Sequence, residues 1–162
     1  MIMKQVDKIV RKIVDILGSD PEIQRLLFYA QDDKSKDNPT LQQLIKNNYI
    51  TDYPVTLDES ERFSFINVYH DNTLLSDDNI YVSTYRVSCG VSLDAWHTDT
   101  GESRLALLCD RIEELLRNQR IYNSTGELTL EAINSVYWTS FVVGNSLIFQ
   151  LLEHGDINET VV

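Results

Sequence analysis

Apolar residues that recur every three or four positions mark the first helical segment. Between residues 3 and 17 they stand at Val6, Ile9, Val10, Ile13, Val14 and Leu17. This spacing places all of them on one side of an amphipathic helix. Gly18 follows the last of them and is typical of the residue just past a helix end. The pattern therefore predicts a first helix that packs one face against a core.

Two shorter helices are predicted after it, separated by a polar segment. Ser19 is the predicted cap of the second helix, and Glu22 reaches back to it as in a capping box. Residues 31–38 carry no apolar side chain, which predicts an exposed loop that proteases cut first. Pro39 is predicted to open the third helix, because proline suits the first helical position. Residues 47–60 are predicted to be irregular.

A two-residue alternation replaces the helical spacing after residue 62. Residues 63–69 are a strand candidate, and residues 80–96 predict a long strand. In the long strand the odd positions from Tyr85 to Ala95 are apolar, whereas the even positions are polar or glycine. Strict alternation of this kind predicts one buried face and one polar face.

A capped helix and a hairpin are predicted to follow the long strand. Asp99 is the predicted helix cap, and the helix is predicted to end near Asn118. Two later strands are predicted to pair through a two-residue turn at Gly144-Asn145. We expect the core between sheet and helix to contain Val87, Val91, Leu93, Leu108, Ile112 and Leu115.

The order of these elements predicts an α+β fold. It should contain an antiparallel sheet of about four strands in the order β-β-α-β-β, with the long helix packed on one face and N-terminal helices added. Residues 1–60 are the predicted helical segment packed on a main domain of residues 61–155, and residues 156–162 are a polar tail. A length of 162 residues suits one such domain with a helical appendage.

The net charge of the chain limits how it can interact with nucleic acid. The formal net charge is −11, from 25 acidic and 14 basic residues. A phosphate backbone is gripped by clustered lysine and arginine, so this balance argues against tight binding to DNA. It is compatible with a surface past which DNA must slide, and equally with an acidity that only maintains solubility.

The residues that could carry chemistry do not form a known catalytic or metal motif. His70, His97 and His154 are not spaced as metal ligands. The chain has no glycine-rich phosphate loop and no Gly-x-Ser-x-Gly motif. Cys89 and Cys109 fit small buried side chains better than a disulfide framework. We therefore expect no enzymatic activity, no metal and no cofactor.

Apolar runs in the chain are too short for membrane insertion. No stretch approaches the roughly 20 apolar residues that a spanning helix requires. The first residues lack the apolar core of a signal peptide. We expect no membrane association and a cytoplasm-like compartment.

The long strand and the elements after it resemble a family of phage proteins. The segment Tyr85-Arg-Val-Ser-Cys-Gly-Val-Ser-Leu-Asp-Ala-Trp96, then a helix beginning Arg-Leu-Ala-Leu-Leu, then a hairpin, is similar to the tail terminator and head–tail joining (neck) proteins of long-tailed bacteriophages. In that family a long strand ends in an aspartate or similar residue just before a tryptophan. The resemblance covers about residues 61–154.

This resemblance implies a structural protein of the virion tail or neck, assembled in the host cytoplasm. Such proteins form a ring, usually a hexamer, on the end of the tail tube. The ring stops tube growth and docks to the head, and DNA passes through it without specific binding. The implied partners are further copies of the chain, the tail tube protein and a head-completion or connector protein.

The polar face of the long strand is the candidate for a subunit interface or channel surface. Its residues are Arg86, Ser88, Ser92 and Asp94, with Trp96 at the strand end. Three other functions remain open on the sequence: a head-completion or stopper protein of the neck, a small-molecule-binding or regulatory α+β domain, and a hydrolase with an unrecognised site.

Overall fold

The computed structural model describes residues 2–30, 36–55, 64–75, 80–121 and 126–154. The fold is α+β, as predicted. Most of the predicted loop 31–38 and all of the predicted tail 156–162 lie outside the described residues. The described helices and strands are, in chain order, α1 (Ile2–Gly18), α2 (Pro21–Phe28), α3 (Leu41–Lys46), β1 (Ile50–Thr51), β2 (Ser64–Leu75), β3 (Ile80–Ser92), α4 (Arg104–Leu116), β4 (Thr129–Tyr137) and β5 (Val142–His154).

The N-terminal helices form where predicted, but α2 and α3 begin later than predicted. The Asp20 carboxylate, and not Ser19, caps α2 by accepting hydrogen bonds from the backbone N–H groups of the first turn. The first residue of α3 is Leu41 and not Pro39, because Thr40 caps this helix in a capping box with Gln43. A side-chain oxygen placed to meet the free N–H groups decides each helix start.

The helix α4 begins five residues after the predicted cap, so that prediction was wrong. Ser103 is the cap, and its hydroxyl accepts from the backbone N–H of Ala106 at 3.3 Å. Asp99 instead belongs to a tight turn that Gly101 closes with a positive φ of 81°. The chain therefore reverses once more before the helix starts.

Within the described ranges, five strands form one sheet in the order β1-β2-β3-β5-β4. The pairs are antiparallel except for β1, which runs parallel to β2. β1 lies within the segment predicted to be irregular. A strand of two residues is too short to show a two-residue alternation, which is why the sequence pattern missed it.

The predicted hairpin turn at Gly144-Asn145 was wrong. The chain turns at residues 138–141, and Gly144 lies inside β5, directly opposite Gly90 of β3. A Cβ atom on Gly144 would collide with the carbonyl oxygen of Cys89. The glycine therefore permits close approach of two strands and does not form a turn.

The helices share one apolar core with a single face of the sheet. Val87, Val91, Leu108 and Ile112 are fully buried there, as predicted. Leu115 is half-buried at the border of this core. Leu93 is a wrong prediction, since it is exposed.

The exposure of Leu93 follows from the end of the long strand. β3 stops at Ser92, and Leu93–Ala95 form a single 3-10 turn. The two-residue alternation that assigned Leu93 to the buried face applies only while the backbone stays extended. Ala95 is nevertheless buried, because the turn brings it back toward the core.

Arg104 joins the N-terminal helices to the rest of the fold. Its side chain is fully buried and donates to backbone carbonyls of Ala95, Leu26, Tyr29 and Ala30 at 2.5–3.1 Å. Three of these acceptors lie at the C-terminal end of α2, where helix carbonyls have no partners of their own.

Candidate subunit interface

The residues predicted to form a subunit interface or channel surface lie in different surroundings in the folded chain. Ser88 is only 3% exposed, and its hydroxyl is hydrogen-bonded to that of Ser146 on β5. Trp96 is half-buried against the core. Ser88 and Trp96 are thus engaged within the subunit itself.

The remaining three predicted residues lie closer to the surface. Asp94 is exposed, and its backbone N–H donates to the hydroxyl of Ser92 at 3.4 Å. Arg86 is half-buried and donates through Nη2 to Asp71 at 2.8 Å. This hydrogen bond raises the pKa of Arg86. The predicted set therefore does not come together as one continuous patch.

Side-chain hydrogen bonds link neighbouring strands on the polar face of β3. Ser88 pairs with Ser146, and in the same row the Thr51 hydroxyl donates to Asn67 Oδ1 at 3.1 Å. At the end of this face the rings of Phe65 and Trp138 meet edge to face, with their centroids 5.1 Å apart. At Ser88, polarity in the pattern therefore indicates a partner on the next strand and not contact with solvent.

A different part of the sheet carries no charge at all. From Ala132 to Leu152 the chain has 21 residues without Asp, Glu, Lys, Arg or His. At 24% charged residues, a stretch of 21 would carry about five. This run spans most of β4, the turn and most of β5. It is visible in the sequence, and the sequence-based interface prediction did not use it.

Large apolar side chains are exposed on and beside this uncharged hairpin. Tyr137 is 77% exposed, Phe141 70%, and Ile133 and Leu93 49% each. Leu93 belongs with them because its backbone N–H donates to the carbonyl of Phe141 at 2.8 Å. We name these four residues the hairpin patch. Exposed apolar groups of this kind mark interaction surfaces when they lie together.

Strand register explains why the hairpin patch is left uncovered. Ile133 lies opposite Leu147, and Tyr137 lies opposite Val143. Residues directly opposite each other point to the same face, so Ile133 shares the helix-bearing face with the buried Leu147. The helix α4 packs on β3 and β5, and β4 extends beyond it.

The backbone of β4 is also available for pairing. β4 lies at the end of the strand order and hydrogen-bonds to β5 within the described sheet. Soluble proteins usually protect such edges with charges or bulges. Here a bulge between Leu130 and Ala132 contains Glu131, and no charge follows up to Tyr137. The edge is therefore protected at one end only.

A family model named YomW matches residues 20–151, which is 132 of the 162 residues. The chain belongs to the YomW family. The family name is that of a phage-associated protein, so the chain is phage-related. The match runs from the cap of α2 into β5 and includes the whole hairpin patch. No curated protein shows significant sequence similarity to the chain.

This YomW-family protein also contains a network of polar side chains around the buried Glu153, near the end of β5. Glu153 is buried and accepts from Gln5 Nε2 at 3.2 Å and from the Ser83 hydroxyl at 3.5 Å. The Ser83 hydroxyl lies 3.0 Å from that of Thr73, which lies 2.7 Å from His70 Nε2. Burial raises the pKa of Glu153, although its hydrogen bonds act in the opposite direction.

Sequence reasoning missed this network of polar side chains, although the sequence contained one signal of it. Ser83 stands at an odd position of the long strand, on the face whose later members are apolar. A polar residue at a buried position requires a partner. The links join α1 to three strands and so contribute to the position of the first helix.

Three further properties of the described residues concern metal binding, membrane crossing and the cysteine thiols. Within the described ranges, no three His, Cys, Asp or Glu side chains are grouped so that they can hold a metal ion. None of the helices in those ranges is long and apolar enough to cross a bilayer. Cys89 and Cys109 are buried free thiols whose sulfur atoms lie 3.5 Å apart, and their burial agrees with the sequence prediction.

Proposed function

We propose that this YomW-family chain is a ring subunit of a phage tail, of the tail terminator type. The ring caps the tail tube, stops its growth and joins the tail to the head, and DNA passes through the opening. Membership of a phage-related family supports the assignment to a phage. The order of a long strand, a short turn that contains Asp94 and leads to Trp96, a helix and a hairpin supports the tail terminator type.

The hairpin patch is the observation that carries the proposal. Copies with a formal net charge of −11 repel one another over most of their surfaces. Contact between them is most favourable where charge is absent and apolar groups are exposed. The uncharged hairpin exposes Tyr137 and Phe141, and its strand β4 is an edge strand of the described sheet, so it has both properties. It is therefore suited to lateral contact between identical subunits.

The acidity of the subunit supports the passage of DNA. Phosphate groups are bound where lysine and arginine can replace condensed counterions. Most of the described arginines are already paired with carboxylates of the same subunit, as in the pairs of Arg86 with Asp71 and Arg111 with Asp20. An opening lined by such a surface lets DNA slide and does not retain it.

Self-assembly is the first test of this function. The chain is studied by analytical ultracentrifugation and electron microscopy, alone at rising concentration and after mixing with tail tubes. We expect closed rings, at the tube end if not in free solution. Phe141→Asp should weaken ring formation, so that about tenfold more protein or more is needed, since it places a charge in the hairpin patch. Leu74→Asp is the matched control, because Leu74 is similarly exposed but lies outside the uncharged run.

Removal of the gene from the phage separates the tail terminator from its nearest alternative. Over-long tails without the protein support a terminator. Tails of normal length with heads that leak DNA support a head-completion or stopper protein. If the wild-type chain forms no ring and does not bind tails, the proposed function is wrong.

A further inference from the structure

A groove lies at the sheet edge opposite the hairpin patch. It encloses about 380 Å³ between α1, α3 and β1. Its apolar lining includes the exposed side chains of Ile45 and Tyr53 and the buried Ile50. Asp15 and Asp52 contribute carboxylates to the same lining, and Arg11 contributes a guanidinium that pairs with Asp7 at 3.1 Å. The groove therefore combines an apolar base with two acidic positions and one basic position.

Local hydrogen bonds give this groove its shape. Asn48 adopts a left-handed φ of 57° and turns the chain from α3 into β1. The Tyr53 hydroxyl donates to Asn48 Oδ1 at 3.4 Å, and the Thr51 hydroxyl lies 2.9 Å from the Tyr53 carbonyl oxygen. These contacts form within the subunit, so the groove exists before any partner arrives.

We propose that this groove receives the hairpin patch of the next subunit, with Tyr137 and Phe141 as the entering side chains. The inference rests on the proposed ring function and names the two surfaces that meet. β1 and β4 stand at opposite ends of the strand order. A contact between opposite edges is heterologous, and its repetition closes a ring when the rotation permits.

Charge favours a second copy of this chain as the occupant. The two carboxylates in the groove outnumber its one guanidinium, and Arg11 already pairs with Asp7, so the groove disfavours the entry of an acidic segment. The hairpin patch lies almost wholly within an uncharged run, and its one member outside that run, Leu93, is apolar. The Tyr137 hydroxyl can donate to either carboxylate, and the Phe141 ring can pack on Tyr53.

Disulfide cross-linking between two singly substituted chains tests the contact. Tyr53→Cys and Phe141→Cys are prepared separately, mixed under assembly conditions and oxidised. We expect cross-linked pairs that contain one chain of each kind. The double variant should give a ladder on a denaturing gel that ends at the ring size. The native thiols do not interfere, because Cys89 and Cys109 are buried.

Leu74→Cys mixed with Tyr53→Cys is the matched control, and this pair should remain unlinked. Phe141→Cys chains that link only to one another would show a two-fold contact and overturn the proposal. Rings that form without any link between the two positions would also overturn it and leave the ring function standing. Failure of the wild-type chain to assemble on tails would refute both the proposed contact and the ring function.

A substitution on the groove side gives a second readout. Tyr53→Asp adds a carboxylate to the groove, so the concentration needed for half-assembly should rise by about tenfold or more, as for the loss of a central interface residue. Phe141→Asp should have a similar effect, and the two together should add little to either alone. Independent effects of the two substitutions would mean that the side chains do not meet.

Discussion

Arg104 is the residue on which the join between the N-terminal helices and the sheet most depends. The fully buried side chain donates to three carbonyls at the end of α2 and to that of Ala95. Arg104→Met removes all of these hydrogen bonds. We expect a loss of about 3 kcal/mol or more in the free energy of unfolding, measured by urea denaturation. Arg117→Met is the control, since that exposed ion pair should contribute under about 1 kcal/mol.

Glu153 should make stability depend on pH in a direction opposite to that of most carboxylates. Burial raises its pKa in the folded state above the ordinary value of 4.5. The folded protein therefore binds more protons than the unfolded chain between these two pKa values. The free energy of unfolding should fall as the pH rises from about 4.5 through the raised pKa, and then stay level.

Glu153→Gln tests this dependence. The neutral amide has no cost of burying a charge, so the variant should melt at a higher temperature than wild type at pH 7. At pH values below 4.5 the difference should be small. Glu131→Gln, at an exposed position, is the control. An unchanged pH profile in Glu153→Gln would show that Glu153 is not the group that titrates.

At the scale of elements, α4 should owe its position to one buried side chain above the sheet. Ile112 is fully buried in the core. Ile112→Ala should lower the free energy of unfolding by about 2–5 kcal/mol, because it removes apolar contacts and leaves a cavity. Asp110→Ala on the exposed side of α4 should change it by less than about 0.5 kcal/mol. A loss below about 1 kcal/mol at Ile112 would mean that α4 does not cover the sheet.

The pairing of β3 with β5 should depend on Gly144. Gly144→Ala places a Cβ atom against the Cys89 carbonyl, so the two strands must move apart. We expect a loss of about 2 kcal/mol or more in thermal unfolding experiments. Gly101→Asn is the comparison, because Asn tolerates a positive φ and nothing lies within 4 Å of that position. Equal stability of Gly144→Ala and wild type would contradict the close approach.

For the whole molecule, net charge and the hairpin patch predict the effect of salt on assembly. Acidic subunits repel one another, and salt screens this repulsion. The proposed contact is apolar and contains no ion pair that salt would weaken. Assembly should therefore increase between about 0.05 and 0.5 M salt, where the Debye length falls several-fold. Sedimentation velocity at fixed protein concentration measures the extent of assembly. Dissociation of the assembly by salt would indicate a contact that depends on opposite charges.

Several features of the fold were predictable because they depend on local spacing. The apolar face of α1 and the buried positions Val87, Val91 and Ile112 follow from a period of 3.6 or 2 residues. These periods are properties of the backbone and hold wherever the element forms. The prediction failed at Leu93, where the extended backbone ends. It also failed at the helix caps, where one side-chain oxygen decides at which residue the helix begins.

The predicted interface residues show the limit of the same reasoning. Ser88 is polar in the alternation, yet it is buried because Ser146 on another strand supplies its partner. Gly144 reads as a turn residue, yet it lies within a strand because a carbonyl from β3 occupies the space a side chain would need. Both outcomes depend on a strand that is distant in sequence.

By itself the sequence determined the α+β class, the acidity and the 21-residue uncharged run, since these depend on composition and local period. The tertiary structure decided which surfaces that run would present. Ile133 and Tyr137 are exposed because α4 packs on β3 and β5 and leaves β4 beyond its edge. The groove beside Tyr53 stands opposite the hairpin patch because β1 and β4 end at the two edges of one sheet. Exposure and relative placement depend on which elements pack together, and the order of residues along a single strand or helix does not specify that packing.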